Sequence, residues 1–594
     1  MALRRFFPLL AAPTLFALCP AVYAQDAAPT PAPATAPVVA PATNETIDAD
    51  MMARIRDEGL NHSQLPQTLS YLTDVIGPRL TGSTNLKRAN EWTRDTLSKW
   101  GLTNAHLEPW GPFGQGWALE QFSAQANVGP VSFPLIAYPK AWSPGWNGVR
   151  TEEVVFLNAT DEAGLAPYKG KLKGKFVLVS PIQEVRAHFE AQGSRYSDDE
   201  LSKLATAPLL GGGRRRNAAP GPDLSDLTPE QRAQLQARLA AGRFTPRRNQ
   251  FLLEEGADLV LDAGRGDGGT VFVQQATVFP EPGKPLPPSP FGGPGAGGGP
   301  NANANAPRPV AVYSKEAVKR IVPQVAVSAE HYNRLVRAVQ AGEKVTLSVG
   351  LKTHYEEPDK GMVFNTVAEL PGTDKAGEVV MCGAHLDSWH GGTGATDNGA
   401  GSAACMEALR ILKAVGAKPR RTIRVALWSG EEQGIFGSKA YVTEHFGTRE
   451  APKSDAQNIS AYFNIDNGTG KLRGVWCQGN ETVMPIFAAW LQPFADLGAT
   501  TVSRRTTGGT DHLSFDAVGI PGFQFIQDTI EYDARTHHSN EDVYDRIQEP
   551  DLKQAATILA AFLYDTAMRD EKLPRKPAPP AVTSAAAIPV FTVR

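Results

Sequence analysis

The stretch EVVMCGAHLDSWHGGTGATDNGAG, residues 378–401, decides the fold. Its opening, 378–383, is a short apolar run of strand length, which predicts a buried strand. The glycine-rich piece after it predicts a loop. Residues 399–415 carry apolar positions at helical spacing with small residues on one face, which predicts a helix. Working outward, the alternation repeats. Residues 422–428 predict a second strand, 438–445 a helix and 461–465 a third strand. Strands alternating with helices predict an α/β domain with a mixed, largely parallel sheet sandwiched by helices.

In such a sheet, ligands gather at the carboxyl ends of the strands. His385 and Asp387 follow the first strand, Glu431 and Glu432 follow the second, and Asp466 ends the third. A lone histidine there is ordinarily structural. A carboxylate two residues on changes its reading, because it can accept the second imidazole N–H and fix the tautomer. The glycine string 391–401 reads equally well as a flexible loop with Asp397 as an N-cap. As part of the set, its glycines let the backbone approach a metal and place Asp397 between two cations. Glu431-Glu432 is an ordinary pair for a helix N-terminus. Adjacent side chains also point apart, so one can bind a metal while the other faces a water.

Taken in order, GAHLDSW (383–389), ATDNGAG (395–401), SGEEQGIFGS (429–438), NIDNG (464–468) and HHSNEDVYD (537–545) resemble the co-catalytic zinc aminopeptidase family. The resemblance covers 355–565 well and 50–120 and 125–352 more loosely. The middle segment is similar to that family's inserted protease-associated domain, through KGKFVLV (173–179) and the run 323–349. The resemblance implies two zinc ions and a peptide substrate. His385 and Asp466 would bind one zinc, Glu432 and His538 the other, and Asp397 both. Glu431 would be general base and acid, and Asp387 would orient His385. His538 is chosen over His537 because it stands four residues before Asp542, as the family's terminal pattern requires. His537 then takes the place of a tyrosine that stabilises the oxyanion in many relatives. His390 departs from an expected acidic residue, and Thr510-Asp511-His512 matches a segment near the site.

The chain of 594 residues is too long for one hydrophobic core. Its net charge of -3 gives no general pull toward nucleic acid, and Arg214, Arg215 and Arg216 read as a solvated loop. Arg4 and Arg5 ahead of an apolar run and Ala24 predict a signal peptide over 1–24, so the protein is expected to be secreted or periplasmic. A disordered leader is expected over 25–48. The first part of the peptidase domain is expected over 49–124, a β-rich insert with low-complexity loops over 125–352, the second part over 353–570 and an extended tail over 571–594. The stretches 183–250 and 278–308 read as irregular, with a helix at 229–241. No transmembrane anchor is expected. Cys382, Cys405 and Cys477 read as small buried apolar residues rather than a disulfide framework.

The function expected is exopeptidase action on short peptides or dipeptides. The alternatives are an aminopeptidase trimming longer peptides, a single-zinc acyltransferase of glutaminyl-cyclase type and a non-catalytic receptor-like module. A homodimer is expected by analogy alone.

Overall fold

The computed structural model describes residues 45–209, 229–286 and 310–577, the side chains of 229–241 excepted. The expected signal peptide, most of the expected leader, Arg214–Arg216 and the end of the expected tail lie outside the described residues. The described residues fall within one compact unit, Ala42–Arg594.

Two eight-stranded sheets organise it. In chain order the strands are β1 (Thr103–Trp110), β2 (Gly116–Val128), β3 (Val131–Pro134), β4 (Ala137–Pro139), β5 (Val149–Phe156), β6 (Phe176–Leu178), β7 (Leu259–Ala263), β8 (Gln324–Val327), β9 (Val345–Glu356), β10 (Val363–Leu370), β11 (Lys375–His385), β12 (Arg421–Trp428), β13 (Ile459–Asn464), β14 (Leu472–Trp476), β15 (Thr501–Ser503) and β16 (Gly522–Gln527). The first sheet runs β1-β10-β12-β11-β13-β16-β14-β15. Its centre, β12-β11-β13-β16, is parallel. Antiparallel pairings flank it, at β10 on one side and β14 on the other. The sheet is therefore mixed and largely parallel at its core, as expected.

Side-chain alternation along β11 explains the sandwich. Val380, Cys382 and Ala384 enter one core with the helices Ala400–Ala414 and Glu549–Met568. Val379 and Met381 enter another, with Tyr441, Val442 and Phe446 from the helix Phe436–Phe446. The helix Ala400–Ala414 is buried from Ala400 to Leu412, because its small residues let sheet and neighbouring helix approach closely. Its one internal ion pair is fully partnered. Glu407 accepts from Arg410, from Ser63 Oγ and from the backbone N–H of Gln64, which ties the N-terminal helices down.

The second sheet runs β3-β2-β9-β5-β6-β7-β8-β4 and is built wholly from Gly116–Glu356. It too alternates. Phe176 and Leu178 face the helix Ala329–Gln340, whereas Val177 and Val179 face Phe251 and Leu252. The boundaries expected at 125 and 352 need correction. β2 and β9 are continuous long strands paired from Gly116↔Glu356 to Val128↔Val345, so the second sheet takes residues 116–124 and 353–356 as well. The irregular reading of 183–250 also needs correction. A capping box between Ser197 and Glu200 starts a helix over Asp198–Thr206, and the helix expected over 229–241 runs on to Glu255. Part of the expected tail packs down: Leu573 is buried, and Arg575 donates to the carbonyls of Gly519, Ala456 and Ile459. Cys382, Cys405 and Cys477 are buried, unbridged thiols. Among the described residues, no helix is long and apolar enough to cross a membrane.

Candidate metal centre

The parallel strands deliver their carboxyl ends to one place. His385 is the last residue of β11, Glu431 and Glu432 lie in the turn after β12, Asp466 follows β13, and His537 and His538 lie in the loop that follows β16. Asp397 comes from the glycine loop between β11 and its helix, with a cis peptide to Asn398.

The two carboxylate oxygens of Asp397 face different imidazoles. His385 Nε2 is 3.2 Å from Asp397 Oδ1 and 3.3 Å from Asp466 Oδ1. His538 Nε2 is 3.1 Å from Asp397 Oδ2 and 3.0 Å from Glu432 Oε2. Two donor clusters thus share one carboxylate. His537 Nε2 is farther from Asp397 Oδ2, at 3.8 Å, and its ring lies against that of Tyr532. His537, His538 and Asp397 could also hold one ion together, as could His385, Asp397 and Asp466. His538, which alone of the two histidines also meets Glu432, is the better placed ligand.

These donors fit divalent metal ions on a physical ground. Asp397 Oδ2, Asp466 Oδ1 and Glu432 Oε1 are buried and accept no hydrogen bond, although imidazole nitrogens stand close to two of them. Buried carboxylate oxygens are normally paired, so a cluster of unsatisfied ones calls for a cation. Imidazole with carboxylate is a donor set that suits zinc.

Neighbouring groups fix the donors in place. His385 Nδ1 lies 2.9 Å from the backbone carbonyl of Asp387, not its carboxylate, which is 3.7 Å away. The expected role of the Asp387 side chain therefore shifts. Its oxygens accept from Thr81 Oγ1 (2.9 Å) and from the backbone N–H groups of Glu431 (3.2 Å) and Glu432 (3.3 Å), so it anchors the acidic turn. Asp542 does the same for the glycine loop, accepting from the N–H groups of Thr396 (2.5 Å) and Asp397 (3.3 Å).

Sequence reasoning missed Arg79. It is fully buried and donates to the carbonyls of Leu386 (2.7 Å), Thr393 (2.8 Å) and Gly394 (2.7 Å), holding together the two ends of the loop that runs from β11 to Asp397. No local signal could have found it, because every one of those partners is hundreds of residues away in the chain.

Burial pushes the Glu431 carboxyl well above the usual range; His385 opposes this, and the charges of Asp466, Asp511 and Glu432 add to it. His390 is held down at about 4 by burial, with its Nε2 2.7 Å from the carbonyl of Pro139, so the loop before Asp397 carries a neutral ring. Asp511 and His512 are buried, and Asp511 accepts from Ser438 Oγ at 2.5 Å.

A mixed sheet with this donor set at its parallel strand ends defines an α/β architecture whose site fits metal ions. Residues 365–563 match the profile of peptidase family M28. Over 256 residues the chain is 32% identical to carboxypeptidase Q of Mus musculus, covering 43% of this chain and 52% of that protein. It is 34% identical over 160 residues to leupeptin-inactivating enzyme 1 of Streptomyces exfoliatus, covering 27% of this chain and 34% of the relative. The chain spans about half the length of the carboxypeptidase Q sequences it matches. A crystal structure of a peptidase M28 precursor from Shewanella amazonensis shares the fold with a TM-score of 0.57 at 21% identity, over 89% of this chain and 98% of that one.

Proposed function

We propose that this protein is an exported zinc exopeptidase that hydrolyses short peptides at a two-metal site. One observation carries the reading: the carboxylate of Asp397 is divided between a His385–Asp466 cluster and a His538–Glu432 cluster. Zinc held by these donors would supply Lewis acidity, lowering the pKa of a nucleophilic water and polarising the scissile carbonyl.

The remaining work falls to the chain's own residues. Glu431, beside the ligand Glu432 but not needed as one, takes the proton of the attacking water and returns it to the leaving amine. His537, about a third exposed at its side chain, donates to the developing oxyanion. Asp387 keeps Glu431 and Glu432 in register by holding their backbone N–H groups. Residues 116–356 act as an inserted domain that walls the site, and 1–24 as the export signal. Similarity to carboxypeptidase Q supports short peptides as substrates.

The reading is tested by assaying zinc-loaded protein on a dipeptide, an N-blocked dipeptide and a longer peptide. Cleavage of the free dipeptide alone supports a dipeptidase. Stepwise N-terminal trimming of the longer peptide marks an aminopeptidase. Failure on all three sinks the proposal.

A further inference from the structure

One segment of the second-sheet region reaches the metal-ligand loop. Residues 264–276 leave β7 and run as a strap along His538–Asn540. Val273 N–H donates to the carbonyl of His538 (2.8 Å), and Asn540 N–H donates to the carbonyl of Val271 (3.1 Å). Phe272 and Ser539 form an antiparallel bridge, and Val271 N–H donates to Asn540 Oδ1 at 2.6 Å. Arg535 closes the near end, donating to the carbonyl of Asp267 and to Thr270 Oγ1. The approach is close: a Cβ on Gly391 would lie 2.5 Å from Val273 Cγ1.

The clamped loop holds an unfavourable conformation. His538 has φ of 63°, in the left-handed region that side chains other than glycine rarely adopt. Such a conformation persists where its surroundings over-determine it, and the strap supplies bonds on both sides of it. The strap is itself fixed from behind. Ala141 N–H donates to the carbonyl of Gln274 (3.0 Å), and Ala276 N–H donates to the carbonyl of Ala141 (2.8 Å).

Gln274 is thereby placed with its side-chain amide 3.0 Å from His538 Nδ1. His538 turns Nε2 toward Asp397 and Glu432. A ring that offers Nε2 to a metal carries its proton on Nδ1 and needs an acceptor there. The structure places Gln274 Nε2 there, and a half-turn of the last torsion, which exchanges the two ends of the amide, brings Oε1 to the same place as that acceptor.

We propose that Gln274, presented by the strap from the second sheet, is a positioning residue that fixes the tautomer and ring orientation of the metal ligand His538. The proposal rests on the two-metal reading. It makes the second-sheet region part of the metal site's construction.

The test measures zinc affinity and stoichiometry by chelator competition on the full chain, together with the melting temperature of the metal-free protein. Gln274→Leu should weaken one of two zinc ions by about ten- to a hundredfold, the usual effect of removing a ligand's hydrogen-bond partner. The metal-free melting temperature should stay put, because Gln274 is exposed. Gln274→Glu keeps an acceptor and should bind zinc as tightly as the parent or more tightly. His538→Ala serves as the reference and should lose the same ion. Unaltered zinc binding in His538→Ala overturns the two-metal reading itself. Loss in His538→Ala with parental affinity in Gln274→Leu overturns the role of Gln274 alone. A loss that Gln274→Glu fails to restore does so too.

Discussion

Asp397 stands about 3 Å from an imidazole on each side, and that position governs what its substitution should do. Asp397→Asn keeps the size but halves the acceptor capacity, so metal content read by elemental analysis should fall at both clusters. Glu431→Gln should behave differently. It should leave the metal content intact and lower kcat/KM by about a hundredfold or more, the usual scale of a lost general base. Far from the site, Asp565 gives a pH prediction. Burial and the charges of Glu45 and Asp48 hold its carboxyl well above the usual range. Its folded pKa thus exceeds its unfolded value of about 3.9, and the folded state binds the extra proton. Stability attributable to this group is whole below pH ~4 and falls as pH rises toward the folded pKa. Asp565→Asn should therefore gain on the parent protein with rising pH in denaturant titrations. An equal offset at all pH values would contradict this. At this scale the sequence was legible wherever a residue's job depends on its neighbours in the chain. His385, Asp397, Glu432 and Asp466 each sit at a strand end or in a glycine loop, and the structure brings them together. Asp387 shows the limit: its spacing to His385 suggested a direct contact, whereas its carboxylate spends its oxygens on Thr81 and the acidic turn. Arg79 and Gln274 were not legible, because their partners lie far along the chain.

Among the elements, β11, β12 and β13 were readable as apolar runs of strand length. Their helices were readable from small-residue periodicity. β14, β15 and β16 were not, since short strands at and near a sheet edge carry little pattern of their own. The start of the helix Phe436–Phe446 shows how tightly an element can be specified. A Cβ on Gly437 would lie 2.4 Å from both Asn365 Oδ1 and the carbonyl oxygen of Ser429. Gly437→Ala should cost about 1–3 kcal/mol by overpacking, seen as a lower denaturation midpoint with weaker zinc binding. Arg79→Met should loosen the whole loop between β11 and Asp397. It strips donors from the buried carbonyls of Leu386, Thr393 and Gly394, and each such loss costs about 1–3 kcal/mol. Retention of parental stability in Arg79→Met would show that the staple is dispensable. The second sheet was readable in part, because β6 and β9 carry clear patterns. Its edges were misplaced, because nothing in 116–124 distinguishes a strand of one sheet from a strand of the other.

Across the molecule, the two sheets share part of one core, through Trp117, Trp142 and Ala276, and the strap from 264 to 276 touches a proposed ligand. The proposed ligands come from separate stretches at the first sheet's strand ends, so metal binding should stabilise the chain by an amount that grows with the logarithm of metal concentration over Kd. The central claim is the division of Asp397 between two metal sub-sites. It is tested most directly by titrating metal-free protein with zinc and counting ions per chain, in the parent and in His385→Ala and His538→Ala. Two ions are expected for the parent, with the loss of one, a different one, in each variant. A single tight ion in the parent, or two ions retained in either variant, would contradict it.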